Sequence, residues 1–539
     1  MSALLRLVRP SQRSTRALHG ALLSGSGAGS SSAQEARRPH RSERARGRRQ
    51  AAKTLGSRGW AGRGSGHAFG IPTVPLWRGT TAQVPGLFPF AVGAGTPMIG
   101  VPLGRSLLTN ATLCCDPISW FQRAHLISNP SVFILGKPGL GKSTIIRRMA
   151  VGLAAYGVLP MVLGDLKPDM VEVIDAMDGQ VIRLGHGRSF LNILDPGEAR
   201  VAAEMLRAHG RDDLAEEVLA DAHGRRRTMV SALLTISRKA SPTDREEAIV
   251  DAALRILDQR PGVPVLGDLL DLIREAPAEL RHVAVDRNSD ERYQAITEDL
   301  EASLISLTQG GRLGAMFSQH TTEPIDRTRP VVFDASGIHE TETDLRAAAL
   351  MACWSTGFAS VNIAQILADA GLEPRRHRLI VLDELWQALR AGAGMVDRVD
   401  ALTRLNRTFG VGQVMASHTM TDLLALPDES DRMKARGFVE RAGMVICGGL
   451  PQSEMPHLQS VVALSKAEQQ LLVSWTDPPA WDDSRGQEAD PPGRGHFLVK
   501  VGGRAGIPFR SFLTAAEVNV NDTNQRWHTQ SRISQEVPA

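Results

Sequence analysis

The stretch that most constrains the fold is residues 131–157, in which an apolar run, a glycine-rich loop and an amphipathic segment follow one another. The run 132–135 predicts a buried strand, and apolar residues recur at helical spacing from Ile146 to Leu153. The loop between them consists of Gly136, Lys137, Pro138, Gly139, Leu140, Gly141, Lys142, Ser143 and Thr144. Strand, glycine loop and helix in this order are typical of a phosphate-binding loop. The alternative is a glycine-rich turn that matches the pattern by chance, which the flanking strand and helix disfavour.

The loop composition follows from phosphate chemistry. Glycines at 136, 139 and 141 let backbone N–H groups approach a triphosphate that bulky side chains would hold away. Lys142 supplies a positive charge for the β and γ phosphates, and the Ser143 hydroxyl is a ligand for Mg²⁺. The N-terminus of the following helix adds a favourable dipole. We therefore predict that residues 136–144 bind nucleotide and that Lys142 also takes part in catalysis.

A second decisive stretch is 378–386, RLIVLDELW, in which an apolar run leads into two carboxylates. Asp383 is placed at the end of the predicted strand to hold Mg²⁺ through water, together with Ser143. Glu384 is placed to polarise the attacking water as a general base. Acidic pairs also follow apolar runs by chance, but the phosphate-binding loop upstream favours the functional interpretation.

Polar residues end two other predicted strands, and such positions face the ligand crevice of an open α/β sheet. The run 160–167 ends in Asp165 and Lys167, and Asp165 is interpreted equally well as a nucleotide-site residue or as a strand-to-helix cap. The run 412–417 ends at His418. His418 is predicted to sense the γ-phosphate or orient water, the alternative being an ordinary satisfied polar side chain.

The basic residues of the 539-residue chain are unevenly distributed. The formal net charge is +4, and most of the excess lies in the first sixty or so residues, where Glu35 and Glu43 are the only acids. That composition is typical of a transit peptide, a disordered tail or an upstream-extended reading frame; disorder is favoured because little apolar surface can be buried. The remainder is nearly neutral, so net charge does not indicate a nucleic-acid surface. Arg225, Arg226 and Arg227 are predicted to form a solvated helix face.

Several classes of protein are disfavoured by the residue patterns. The chain has no run of about 18 apolar residues, so no transmembrane helix is predicted. Cys114, Cys115, Cys353 and Cys447 have neither zinc-ligand spacing nor the density of a disulfide framework, which is typical of a reducing compartment. Trp120 and Phe121 are predicted to be core residues.

Further runs complete an α/β pattern. Apolar runs predict strands at 179–184, 330–334, 443–448 and 496–501, and residues 342–370 predict a long helix. Between 196 and 307 the pattern is helical throughout, which indicates an all-α insertion between strands of the sheet.

An ordered set of motifs in this chain resembles a known family. The motifs are GKPGLGKST, VLGDLKPD, LNILD, GRLGAMF, VVFDASGI, LIVLDELW and GHFLVKVG. Together they resemble the conjugation ATPases of type IV secretion systems, in the HerA/FtsK branch of RecA-like motors, over residues 86–513. The resemblance implies an α/β fold, a RecA-like P-loop NTPase with a mostly parallel central sheet. The many arginines and few lysines and tyrosines are consistent with an actinobacterial member.

The predicted organisation has six parts. They are a disordered Arg/Ser/Gly-rich segment (1–65), a small β/turn region packed on the core (66–130), the first part of the ATPase core (131–195), the all-α insertion (196–307), the second part of the core (308–515) and a polar tail (516–539).

The resemblance also implies site roles and a nucleotide. It assigns nucleotide binding to residues 136–144, metal coordination to Ser143 and Asp383, and general base catalysis to Glu384, with ATP and Mg²⁺ as the expected ligands. No guanine-reading motif was found. Two features depart from the family: Ser417-His418 stands where a glutamine is usual, and only about 130 residues precede the loop, so the long N-terminal domain is missing.

Motors of this family form rings, commonly hexamers, with the nucleotide between subunits. An arginine from the neighbouring subunit then stabilises the transferring phosphoryl group. The candidates after the acidic pair are Arg404, Arg407, Arg436 and Arg441. The sequence does not choose among them, and for each one taken alone an ordinary surface charge is the favoured interpretation.

The expected function is an ATP-hydrolysing motor that powers conjugative or type IV secretion transfer of DNA or protein. The resemblance implies a cytoplasmic protein, peripheral at the inner face of the membrane, with secretion-channel or coupling proteins as partners. One alternative is a double-stranded DNA translocase of the FtsK type. Another is an assembly scaffold that binds ATP and turns it over poorly.

Overall fold

The computed structural model describes residues 95–185, 187–309, 313–390, 396–397, 400, 410–479, 481–482, 487–488, 491–514 and 517. The predicted segment 1–65, the first part of the predicted β/turn region and nearly all of the predicted tail lie outside these residues, as do Arg404 and Arg407.

The strands are short and lie on both sides of a long helical stretch between β5 and β6. They are β1 (Pro102–Ser106), β2 (Thr112–Cys114), β3 (Ser131–Leu135), β4 (Leu159–Asp165), β5 (Gln180–Arg183), β6 (Val331–Asp334), β7 (Arg378–Leu382), β8 (Val411–Ser417), β9 (Met444–Cys447), β10 (Trp481–Asp482), β11 (Gln487–Glu488), β12 (His496–Lys500) and β13 (Ile507–Ser511).

Helices connect most of these strands. They are α1 (Pro117–Gln122), α2 (Lys142–Ala155), α3 (Val171–Ala176), α4 (Ala199–Ala208), α5 (Asp212–Arg238), α6 (Asp244–Gln259), α7 (Leu266–Glu275), α8 (Ala278–Ala284), α9 (Asp290–Thr308), α10 (Gly314–Phe317), α11 (Thr343–Asp369), α12 (Leu385–Leu389), α13 (Met420–Leu424), α14 (Glu429–Glu440), α15 (Met455–Gln459) and α16 (Lys466–Ser474).

One large sheet organises the described residues. Its eleven strands lie in the order β2-β1-β13-β12-β9-β3-β8-β7-β4-β6-β5. The strands from β9 to β5 in that order pair in parallel, whereas β12, β13, β1 and β2 continue the sheet in antiparallel pairs. The predicted fold class, with a mostly parallel central sheet, is confirmed. The phosphate-loop strand β3 lies inside this sheet, between β8 and β9.

Both faces of the sheet are covered, which explains why its central strands are continuous apolar runs rather than alternating ones. Val132 and Ile134 of β3 pack in a core that includes Ile145 and Met149 of α2. Phe133 and Leu135 point to the other face and share a core with helices of the insertion and with α11. The strand that leads into the glycine loop is therefore fixed from both sides.

The described elements from α4 to α10 are all helical and lie between β5 and β6. Their apolar residues, such as Met229, Leu269 and Leu304, belong to the same continuous core as Phe133 of β3. Most of these helices therefore cover one face of the sheet. Helix α4 and the first half of α5 pack instead with the end of α11 in a separate small core.

The prediction that Arg225, Arg226 and Arg227 form a solvated face is wrong for the first two residues. Arg226 has a side chain only 5% exposed and donates from both terminal nitrogens to the carboxylate of Asp258, at 2.7 Å each. Arg225 pairs with Asp221 and is also largely covered. Arg227 is 51% exposed. The reason is that α5 packs against α6 and α11, so this part of α5 faces other helices instead of solvent.

Among the described helices, α11 is long and apolar enough to cross a membrane by length and composition, and 72% of its apolar window is buried within the protein. It packs against β4. The Trp354 indole donates to the carbonyl oxygen of Leu163 at 2.7 Å. A Cβ on Gly357 would come within 2.4 Å of the Leu163 side chain, so the contact requires glycine there. In this structure α11 is a core helix of the α/β fold.

Candidate nucleotide-binding site

The start of the glycine loop is tied to the neighbouring strands. The backbone N–H of Gly136 donates to the carbonyl of His418 at 3.0 Å, and that of Lys137 donates to the carbonyl of Gly449, also at 3.0 Å. A Cβ on Gly136 would lie 3.2 Å from the Cα of Gly448. Two backbones meet closely at this point, and the close approach fixes where the loop leaves the sheet.

The rest of the loop is open to a ligand. Gly139 and Gly141 have φ angles of +80° and +102°, in the region that favours glycine. No heavy atom lies within 4 Å of the position that a Cβ on Gly139 would occupy. Helix α2 begins at Lys142, so its unpaired N–H groups and its positive dipole end face the loop. This geometry is suited to phosphate binding.

Strand order brings the predicted site residues to one edge of the sheet. Strand β8 lies between β3 and β7 and pairs in parallel with both, with Leu135 opposite Ser417 and Leu382 opposite Met415. The carboxyl ends of the three strands therefore meet, and the segments that follow them converge.

Lys142 and His418 are in direct contact. The Lys142 ammonium donates to the carbonyl oxygen of Gly136 at 2.6 Å and lies 2.9 Å from Nδ1 of His418. Burial lowers the pKa of Lys142, and the charge of Lys167 lowers it further, while Asp383 and Glu384 oppose the shift. Burial also lowers the pKa of His418, which favours the neutral ring. Because an ammonium can only donate, Nδ1 accepts and the ring proton lies on Nε2.

His418 also reaches the predicted general base, since its Nε2 lies 3.4 Å from Oε2 of Glu384. The Glu384 side chain is buried, and its carboxylate accepts from the Lys167 ammonium at 3.1 Å and from the Trp386 indole at 2.6 Å. Burial alone would raise the pKa of Glu384, but His418, Lys167 and the Trp386 hydrogen bond outweigh it, and the pKa lies below its ordinary value. The carboxylate is therefore ionised.

The backbone of Glu384 is in an uncommon conformation. Its φ angle is +51°, in the left-handed region that a side chain with a Cβ rarely adopts. Such conformations persist where surrounding contacts enforce them, and they cluster at functional sites. The turn after β7 aims the carboxylate back toward His418 and Lys167.

Asp383 is held beside this group, with Oδ1 accepting from the backbone N–H of Glu384 at 2.9 Å. Burial, followed by the negative charge of Glu384, raises the pKa of Asp383. A bound divalent cation would reverse that shift. The Ser143 hydroxyl and the Asp383 carboxylate are hard oxygen donors of the type that Mg²⁺ prefers, and Mg²⁺ usually takes its remaining ligands from phosphates and water. The donor set fits the expected metal.

Asp165 binds the turn between β4 and α3. Its buried carboxylate accepts from the backbone N–H of Met170 at 2.6 Å and of Lys167 at 3.3 Å. Burial raises the pKa of Asp165 to about 6. These bonds fix the turn that carries Lys167.

Two partners of Glu384, Lys167 and Trp386, were missed as site residues in the sequence analysis. The signal for Lys167 was present, because it follows a parallel strand at the same edge of the sheet as the acidic pair. The pairing itself depends on β4 lying next to β7.

The described arginine candidates are engaged within the chain. Arg436 donates to Glu440 at 2.7 Å and to the carbonyl of Ser460. Arg441 donates to Asp400 at 2.5 Å. Arg441 also precedes the amino end of β9, at the sheet edge opposite the glycine loop.

The sequence matches no family model and no curated protein. Solved structures do match. The structure of VirB4 of Thermoanaerobacter pseudethanolicus aligns with a TM-score of 0.56 and 16% sequence identity, over 80% of this chain and 100% of that chain. The plasmid coupling protein TrwB aligns over 71% of this chain and 86% of its own, in complex with the non-hydrolysable GTP analogue GDPNP (TM-score 0.43, 14% identity) and with ADP and Mg²⁺ (TM-score 0.42, 13% identity).

At these identities the likeness is one of fold. It extends over the full length of the VirB4 structure. It confirms the fold that the motifs predict. The chain has a RecA-like P-loop NTPase fold.

Proposed function

We propose that this protein is an ATP-hydrolysing motor that powers conjugative or type IV secretion transfer. The observation that carries the proposal is the contact of Lys142, His418 and Glu384 at the mouth of an open glycine loop. The fold shared with VirB4 supports the choice of motor class. ATP is preferred over GTP on the resemblance alone.

The proposed mechanism assigns each side chain a task. Backbone N–H groups of the loop 136–144 and the ammonium of Lys142 bind the phosphates. Ser143 and Asp383 would hold Mg²⁺, which would supply positive charge to the phosphates. Glu384 accepts a proton from the attacking water as the new P–O bond forms. The bond from the γ-phosphorus to the bridging oxygen breaks, and ADP and phosphate leave.

His418 takes the proposed sensor role because it lies between the other two groups. Its Nδ1 faces the phosphate-binding Lys142 and its Nε2 faces Glu384. When Lys142 moves to a phosphate, His418 loses its partner, and the hydrogen bonding around Glu384 changes with it. A glutamine, usual at this place in the family, could join the same two groups through its amide.

The proposal includes assembly and location. We infer a homo-oligomeric ring, commonly a hexamer in this family, in which an arginine of the neighbouring subunit completes the site. We also infer the six parts expected from the sequence, in which the all-α insertion 196–307 divides the ATPase core into 131–195 and 308–515. The proposed location is the cytoplasmic side of the membrane, on secretion-channel or coupling proteins.

The test is steady-state ATP hydrolysis by the purified full chain with Mg²⁺, with and without double-stranded DNA. Lys142→Ala, purified in parallel, measures contaminating activity. Turnover that exceeds this background and ignores DNA supports the secretion motor. Turnover that rises several-fold with DNA would favour the double-stranded DNA translocase. ATP binding without turnover would contradict the proposal and favour the alternative of an assembly scaffold.

A further inference from the structure

The contact between Lys167 and Glu384 has no role in the mechanism above, although it joins a cation to the predicted general base. The Lys167 ammonium lies 3.1 Å from Oε1 of Glu384. The other close partners, the Trp386 indole and the His418 ring, approach Oε2. Among the described residues in contact with this carboxylate, Lys167 is therefore the one that occupies Oε1.

The two partners differ in their freedom to move. The Glu384 side chain is 8% exposed and that of Lys167 is 56% exposed. The turn beneath Lys167 is fixed, because Asp165 accepts from the N–H groups of Lys167 and Met170. Because its side chain has four flexible methylene groups, Lys167 can move its ammonium by several ångströms while its backbone stays in place.

The destination for that movement lies beside the pair. Contacts run from Lys167 to Glu384 (3.1 Å), from Glu384 to His418 (3.4 Å) and from His418 to Lys142 (2.9 Å), and Lys142 is the lysine of the glycine loop. A triphosphate in the loop brings several negative charges to this corner, and its terminal phosphate competes with Glu384 for the exposed ammonium. A diphosphate lacks the group that reaches furthest toward Glu384.

We propose that Lys167 is a positioning residue that exchanges Glu384 for the terminal phosphate of a bound triphosphate. Without nucleotide, Lys167 occupies Oε1 of the general base. When the terminal phosphate takes the ammonium, Oε1 is released to accept a proton from water. Base activation is thereby coupled to the presence of the phosphate that is to be cleaved. The inference rests on the proposed function and deepens it.

The test compares dissociation constants for a non-hydrolysable ATP analogue and for ADP, both with Mg²⁺, on the full chain. Lys167→Met removes the charge and keeps the apolar stem. It should weaken analogue binding about tenfold, the effect of one charge-assisted hydrogen bond, and leave ADP binding within about twofold. Lys167→Arg, which keeps the charge, should restore much of the preference for the analogue. An equal loss for both ligands, or no loss, would overturn the proposal.

A second measurement follows the release of Glu384 without relying on turnover. The Trp386 indole donates to Oε2 of Glu384, so its fluorescence reports on the carboxylate. The difference between wild type and Trp386→Phe isolates that signal. It should change with the ATP analogue and not with ADP, and Lys167→Met should lack this selective response. The same response to both ligands would contradict the proposal. Failure of the proposed function is seen separately, because wild type would then bind neither nucleotide, or would bind ATP without hydrolysing it.

Discussion

Two clusters of charged residues in the described part of this protein are held in different ways. Between α5 and α6, Arg226 binds Asp258 through two parallel bonds, and His223 lies 2.9 Å from Asp251 and 3.5 Å from Asp258. Those residues sit on regular helices. At the carboxyl edge of the sheet, Glu384 itself has a left-handed backbone conformation, and the lysine that contacts it is exposed.

The difference separates a structural cluster of charges from the proposed nucleotide site. A saturated pair between two helices holds those helices together, and removing one member leaves a poorly solvated charge behind. At the sheet edge, Lys142 and Lys167 bind groups that an incoming phosphate can replace. Exchangeable partners and a strained backbone indicate function more strongly than buried charge alone.

The largest expected effect concerns ligand binding at the carboxyl ends of the parallel strands. A non-hydrolysable ATP analogue with Mg²⁺, at about 100 times its dissociation constant, should stabilise wild type by about 2.7 kcal/mol. Lys142→Ala should lose nearly all of that increment, because the phosphates lose their principal cation. Denaturant unfolding with and without the analogue measures it, and exposed Lys466→Ala is the matched control. If the analogue stabilised Lys142→Ala as much as wild type, Lys142 would not be a phosphate-binding residue.

Substitutions in the cluster between α5 and α6 should lower the stability of the protein and leave ligand binding unchanged. Arg226→Ala should lower the free energy of unfolding by about 2 kcal/mol, because Asp258 loses two charge-assisted hydrogen bonds. Arg227→Ala, one residue on and half exposed, should change it by less than about 0.5 kcal/mol. Both variants should keep the stabilisation by the ATP analogue. If both variants lost the same free energy of unfolding, or if either lost the stabilisation by the ATP analogue, the cluster would not be purely structural.

The smallest effect is a pH dependence in the same cluster. The hydrogen bond to Asp258, with further help from Asp251, raises the pKa of His223 above its ordinary value of 6.5. The stabilisation from His223 is therefore complete below that value and is lost as the pH rises through the raised folded-state pKa. Unfolding at pH 5.5 and pH 8.5 should show His223→Gln less stable than wild type at the lower pH, by no more than about 1 kcal/mol. A difference that grows with pH would contradict the assignment.

The local parts of the site were predictable from the sequence. The strand, loop and helix around Lys142 are specified by glycine spacing and apolar periodicity within about 25 residues of chain. The end of β7 at Asp383 and Glu384 was equally clear, because an apolar run stops at two carboxylates. These features depend on neighbouring residues only.

The pairings across the sheet were not predictable, because they depend on strand order. Lys142 meets His418 because β8 lies beside β3, and Lys167 meets Glu384 because β4 lies beside β7. The burial of Arg226 likewise follows from the packing of α5 on α6, which a run of three arginines does not indicate. Sequence periodicity shows which face of a helix or strand is apolar. It does not show which other element packs against the polar face.

The most direct test of the central claim is ATP turnover by Glu384→Gln beside wild type, at saturating ATP and Mg²⁺. The account predicts that the variant binds ATP at least as tightly as wild type and hydrolyses it at least about 100-fold more slowly, because the amide cannot accept the water proton. Hydrolysis at the wild-type rate would show that the carboxylate at the end of β7 is not the general base, and would contradict the account.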